Sequence, residues 1–79
     1  MKIKVMKAMF VEEEVEINDP VFTKFVNTEK PSQALVTCAC EAVSERVGIP
    51  FGEEDATFEQ PNYICAVYDA ETDKCLLEY

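Results

Sequence analysis

Four cysteines and no histidine limit the chemistry that this sequence of 79 residues can carry. Without histidine, Ser-His and Cys-His nucleophile systems are excluded, as are the usual zinc and iron sites. A four-thiolate zinc site remains formally open, but such sites combine two close cysteine pairs in loops. We therefore expect no metal and no other cofactor, and small apolar side chains at Cys38, Cys40, Cys65 and Cys75.

Carboxylates are the second group that could do chemistry, with 16 Asp and Glu residues against 7 Lys and Arg residues. Any two could meet as an acid-base pair, but no spacing singles one pair out. A phosphate-binding loop is not expected, since Gly48 and Gly52 are the only glycines. The acidic run at 12–16 does not predict a cation site, because consecutive strand residues point to opposite faces. We expect no enzymatic activity.

The net charge of −9 limits the classes of molecule that the protein is expected to bind. It disfavours direct binding to nucleic acid or to an anionic membrane, and it favours a basic surface on a partner protein. The acids fall in three groups along the chain. The predicted binding surface consists of Glu12, Glu13, Glu14, Glu16, Asp19, Glu53, Glu54, Asp55, Glu59, Asp69, Glu71 and Asp73.

The longest periodic segment predicts a helix over residues 32–48, around which the rest of the chain is organised. Ser32 is the predicted N-cap, and Gly48 is the predicted left-handed residue that ends the helix before Pro50. Apolar residues recur at the spacing of one helix face, at Leu35, Ala39, Ala42, Val43 and Val47.

The segment before this helix predicts two strands and a short helix. Residues 2–18 alternate between apolar and charged side chains and fit two strands, with a break near Glu12 and Glu13. If these strands pair antiparallel, their lysines face their glutamates. The pair Asp19-Pro20 then predicts the start of a helix of about two turns.

The segment after Pro50 predicts a loop and two strands. Residues 51–61 are expected to form a long acidic loop that Phe51 and Phe58 hold down. Residues 62–69 and 75–79 are predicted as paired strands. In the hairpin between them, Asp73 occupies the position where a left-handed residue is wanted.

The predicted fold is a single α+β domain over residues 1–79, with element order β-β-α-α-β-β. Its four-stranded, mainly antiparallel sheet packs on one long helix. Apolar residues on both sides of the third strand would leave part of the second sheet face uncovered, unless the short helix and the loop cover it. The expected split places Ile64, Ala66 and Tyr68 on one side, with Tyr63, Cys65 and Val67 on the other.

The expected compartment is the cytoplasm. The sequence begins in a strand-like pattern and contains no signal-peptide pattern and no long apolar run. The thiols are therefore expected to be reduced. A disulfide between Cys65 and Cys75 stays open, because paired strands make it geometrically possible.

Two functions follow from these observations. The first is a small acidic protein that binds and inhibits by covering a basic surface of a partner, such as a nucleic-acid-binding enzyme. In size and charge, though by no motif, the chain is similar to the inhibitors that phages and mobile elements use against host nucleases, including anti-restriction and anti-CRISPR proteins. The second is a non-enzymatic structural or assembly module that acts as a homodimer through a strand edge or the free sheet face.

Overall fold

Four strands and two helices follow one another in the predicted order, which confirms the α+β fold. The computed structural model describes residues 1–8, 11–59 and 61–79, without the side chain of Asp55. The elements are β1 (Lys2–Lys7), β2 (Val11–Glu16), α1 (Pro20–Val26), α2 (Gln33–Val47), a 3₁₀ helix (Glu53–Asp55), β3 (Ile64–Asp69) and β4 (Cys75–Glu78).

The strands form one antiparallel sheet in the order β2-β1-β3-β4. Register places Ile3 opposite Val15, and Val5 opposite Val67, which in turn lies opposite Leu77. All five side chains are buried on one face, called here the inner face. The first strand in sequence therefore lies in the middle of the sheet, where both of its neighbours contact it.

The break between β1 and β2 lies earlier than predicted. Residues 8–10 separate the strands, so Glu12 and Glu13 lie inside β2. Met9 and Phe10 lie outside the described residues. Burial of Ile3 opposite Val15 on the inner face fixes this register, whereas no Gly or Asn marks the turn in the sequence.

Strand β3 does not follow the predicted alternation. The register between β1 and β3 shifts by one residue at Cys65. Ile64 and Val67 consequently both lie in the hydrophobic core, although they are three residues apart. The prediction that placed them on opposite faces is wrong, because a bulge inverts the side-chain phase of a strand.

Both helices pack on the inner face, rather than the long helix alone. Phe22 and Phe25 of α1 and Ala39 and Val43 of α2 join the same buried cluster as the sheet residues. No helix among the described residues is long and apolar enough to cross a membrane. Because both helices lie on the inner face, neither helix packs against the opposite face, which is called here the outer face.

The predicted helix ends are confirmed. The Asp19 carboxylate accepts hydrogen bonds from the amides of Val21 and Phe22, at 2.8 and 3.0 Å, and so caps α1. Ser32 caps α2 through its hydroxyl oxygen, and Gly48 ends it in the left-handed conformation, with φ at 86°. These local signals fix where each helix begins and ends because the capping groups satisfy otherwise unpaired backbone atoms.

The acidic loop is anchored by one phenylalanine instead of two. Phe51 is half-buried and forms an isolated parallel bridge with Ile64. Phe58 is fully exposed, so its predicted anchoring role is wrong. The sequence analysis also missed the 3₁₀ helix, whose three residues are too few to produce a periodic pattern.

Two phenylalanine truncations test this assignment of the core. Phe22→Ala removes a ring that is 1% exposed and should lower the free energy of unfolding by about 3–5 kcal/mol. Phe58→Ala removes the same atoms from a side chain that is fully exposed to solvent, so it should leave the free energy of unfolding unchanged. Urea unfolding followed by circular dichroism measures both, and equal losses would contradict the assignment.

Candidate acidic binding site

Among the described residues, the cysteines are not part of a metal-binding cluster. All four are free, and no group of three or more Cys, Asp or Glu residues is arranged to hold a metal. Cys75 pairs with Tyr68, whereas the carbonyl of Cys65 accepts a hydrogen bond from the amide of Tyr79. Cys65 and Tyr68 are separated by about 10 Å along the strand, which exceeds the reach of a disulfide.

Two thiols have environments that weaken them as nucleophiles. Burial raises the pKa of Cys40, and the neighbouring charge of Glu41 adds to the effect. Burial also raises the pKa of Cys75, with Glu78 again contributing. A higher thiol pKa leaves less thiolate at neutral pH, and the thiolate is the reactive form.

The three acidic groups of the sequence lie on different parts of the fold. Group 53–59 follows Gly52, whose amide donates to the carbonyl of Ile64 at the start of β3, at 3.0 Å. Group 69–73 begins at the other end of β3, about 17 Å away along the strand. Group 12–19 begins in edge strand β2. Group 53–59 is therefore separated from group 69–73, whereas members of groups 12–19 and 69–73 meet around Lys4.

Most of the β2 carboxylates are paired with cations of the sheet. The prediction that lysines face glutamates is confirmed by the register of β1 and β2. The ion pairs are the Met1 amine with Glu16 at 2.9 Å, Lys2 with Glu14 at 3.3 Å, Lys7 with Glu13, and Lys4 with Asp73. Such pairs add little stability at a surface, but they cancel the local charge.

Lys4 lies among several carboxylates of the outer face. Its hydrogen bond to Asp73 raises the pKa of the ammonium, and the charges of Asp73, Glu12 and Glu14 act in the same direction. Carboxylates from β2 and from the β3–β4 hairpin thus surround one cation. The ammonium lowers the negative charge of this patch but does not cancel it, because three carboxylates act on one cation.

Two further acids of the predicted surface accept hydrogen bonds from backbone amides. Asp19 caps α1, and the Asp69 carboxylate accepts a hydrogen bond from the amide of Glu71 at 2.8 Å. Asp73 adopts the predicted left-handed conformation, with φ at 59°. The three positions are therefore explained by helix and turn geometry.

The carboxylates without an ion pair among the described residues include three that surround a groove. Glu41 and Glu45 project from α2, and Glu54 comes from the 3₁₀ helix on the other side. The groove has a volume of about 720 Å³, and none of its lining residues is Lys or Arg. We call this site the acidic groove, and its remaining lining residues are Gln33, Val36, Thr37, Cys40, Ser44, Pro50 and Phe51.

The end of α2 builds the acidic groove. The left-handed Gly48 reverses the chain, and the Ser44 hydroxyl donates to the carbonyl of Ile49 at 2.7 Å. Pro50 and Phe51 then line the groove opposite the residues of α2. The helix cap therefore positions the second wall of the site.

Contact with Tyr79 requires glycine at position 52, directly after the wall residue Phe51. Gly52 has φ at 96°, and a Cβ atom there would lie 2.7 Å from the Tyr79 ring. The same ring contacts Tyr63 edge to face, with centroids 6.3 Å apart. Only glycine satisfies both the backbone conformation and the close approach.

The remaining acids of the predicted surface lie outside this lining. Glu53, Glu59 and Glu71 are exposed, and the side chain of Asp55 lies outside the described part of the structure. Glu53 nevertheless lies near Tyr63. Burial of Tyr63 is the main cause that raises the pKa of Tyr63, and the negative charge of Glu53 is the second cause.

Sequence reasoning missed Glu41 and Glu45 because they lie on the ordinary polar face of a helix. A signal was present in the distribution of charge along the chain. Residues 31–60 contain six acidic residues and one basic residue, Arg46. Glu41 and Glu45 also stand at the i, i+4 spacing, where like charges repel each other.

Alanine substitution at the two glycines tests the construction of the groove wall. Gly48→Ala imposes only the left-handed conformation, because no atom lies within 4 Å of the new Cβ. Gly52→Ala adds the clash with Tyr79 and should lower the free energy of unfolding by more than about 1 kcal/mol. Thermal unfolding should rank Gly52→Ala as the less stable variant, and the reverse order would contradict this description.

Alkylation of Cys40 tests the electrostatics of the groove. In a variant that keeps Cys40 alone, Glu41→Gln should accelerate the reaction with iodoacetamide at neutral pH, because it removes one cause of the raised pKa. Glu45→Gln removes an equal charge from the same helix and serves as the control. Rates measured by mass spectrometry across pH distinguish them, and equal acceleration would contradict the assignment.

Comparison with known proteins leaves the site to be judged on its own geometry. No protein-family model, no curated protein and no solved structure matches this chain. The candidate site is accordingly defined by three carboxylates of the acidic groove, its apolar floor and the missing counter-charge among the residues that line it.

Proposed function

We propose that this protein acts without catalysis, as a small acidic binding protein that covers a basic surface of a partner protein. One observation carries the proposal. Glu41, Glu45 and Glu54 face a groove whose lining contains no cation, while the β2 carboxylates are mostly paired within the sheet. The acidic groove is thus a concave part of the surface whose carboxylates have no ion pair among the described residues.

The class of partner follows from charge and size. A net charge of −9 attracts a cationic surface over several ångströms and speeds association, with a strong dependence on salt. Enzymes that bind nucleic acids present such surfaces, because they neutralise phosphates with Lys and Arg. We propose inhibition of such an enzyme, in the manner of the anti-restriction and anti-CRISPR inhibitors of phages and mobile elements.

The cytoplasm is the compartment that we propose for this activity. All four cysteines are free, and the geometry around Cys65 and Cys75 separates the pair that the sequence left open. Reduced thiols are typical of the cytosol, where disulfides are rare.

Homodimer formation is the alternative function, and the uncovered outer face of the sheet favours it. Tyr68 is half-buried on that face beside Lys4, whereas its neighbour Ala66 is only 5% exposed. Two copies that met there would bring their β2 glutamates together, and β2 is also an edge strand. Like charges oppose that contact, so we rank the dimer second.

Charge-matched variants test the proposed function. We would immobilise the wild type, a groove variant (E41Q/E45Q/E54Q) and a control variant (E29Q/E53Q/E59Q), and capture proteins from a phage-host lysate under increasing salt. Both variants lose three charges, but only the first changes the acidic groove. The groove variant should lose a captured partner that the control retains, and binding should weaken steeply with salt.

Two results would count against this function. Equal loss in both variants would mean that net charge alone attracts the partner. Capture that salt does not weaken would exclude a charge-driven interface. Sedimentation of the free protein at micromolar concentration tests the alternative, since a stable dimer that salt leaves intact would favour the assembly module.

A further inference from the structure

The floor of the acidic groove is apolar, although its rim is anionic. Val36 and Cys40 of α2 meet Pro50 and Phe51 of the returning segment. Phe51 is half-buried, so part of its surface faces the groove while another part packs against the core. A ligand that fits this site needs both an apolar surface and a positive charge.

We propose that the acidic groove binds an arginine side chain from an exposed segment of the partner. The inference rests on the proposed function and names the group that the site recognises. The guanidinium lies between Glu41, Glu45 and Glu54, and its plane or its methylene stem lies against Phe51. Each requirement of the groove matches one part of this side chain.

Arginine satisfies these requirements better than lysine. Its guanidinium is planar and weakly hydrated, stacks on aromatic rings, and donates in a fork that matches carboxylates. The lysine ammonium is a compact and strongly hydrated charge, so an apolar floor favours it less. A bare metal ion would gain nothing from Phe51, and no described group of carboxylates is arranged to chelate one.

The position of the groove suits a side chain that enters from outside. Glu41 and Glu45 are one turn apart on α2, and Glu54 faces them from a separate segment. Arg46, the only basic residue of segment 31–60, donates its Nε hydrogen to the carbonyl of Glu16 at 2.9 Å. The one arginine of the chain is therefore occupied elsewhere and leaves the groove open to a partner's arginine.

The test compares two blocked tripeptides, acetyl-Gly-Arg-Gly-amide and acetyl-Gly-Lys-Gly-amide, at constant ionic strength. Amide shifts of the full chain are followed by NMR during each titration. The arginine peptide should shift the amides of Val36, Cys40 and Glu54, and should bind about five-fold more tightly than the lysine peptide.

Two variants assign the effect to its parts. Phe51→Leu keeps an apolar floor and should reduce the arginine preference to near parity. The E41Q/E45Q variant should weaken both peptides. An unchanged amide spectrum outside the groove shows that each variant is folded.

Equal affinity for the two peptides, an unaltered preference in Phe51→Leu, or shifts confined to β2 would overturn the arginine inference. So would the absence of any shift at the groove. The proposed function fails separately, when the groove variant retains its captured partner. Loss of that partner without an arginine preference would keep the function and reject this ligand.

Discussion

Pairing between the lysines of β1 and the carboxylates around them decides where this protein is acidic. β1 lies in the middle of the sheet, and its amine groups reach Glu13 and Glu14 on one side and Asp73 on the other. Each pair adds little to stability, but together with the Met1 amine the lysines pair three of the four carboxylates of β2. The acids without an ion pair among the described residues include Glu41 and Glu45 of α2 and Glu54, which line the acidic groove. This distribution depends on the strand register, which the buried inner face holds in place.

The shape of the acidic groove depends on the backbone conformation of the segment that follows α2. Gly48 ends α2 and turns the chain back, and Phe51 joins the sheet at Ile64 while it lines the groove. Gly52 lets Tyr79 pack against the same segment. A few residues thus connect the hydrophobic core to the rim of the acidic groove.

Prediction from sequence succeeded where the signal was local. Asp19, Ser32 and Gly48 identify the helix ends through their own chemistry, and Asp73 identifies the left-handed turn. The fold class followed from the order of these elements. Failures came from tertiary context. The bulge in β3 reversed which side chains face the core, and nothing local announces it. The sequence analysis placed the acidic site at dense runs of acids. The run on β2, however, lies beside the lysines of the neighbouring strand β1 and pairs with them.

The central claim is that negative potential is concentrated at the acidic groove rather than along β2. Paramagnetic relaxation of backbone amides by a cationic and an anionic nitroxide reads this potential residue by residue. We predict that the ratio of cationic to anionic enhancement is highest at residues 36–45 and 50–54 and clearly lower at residues 11–16. A highest ratio along β2, or a uniform ratio over the surface, would contradict the account.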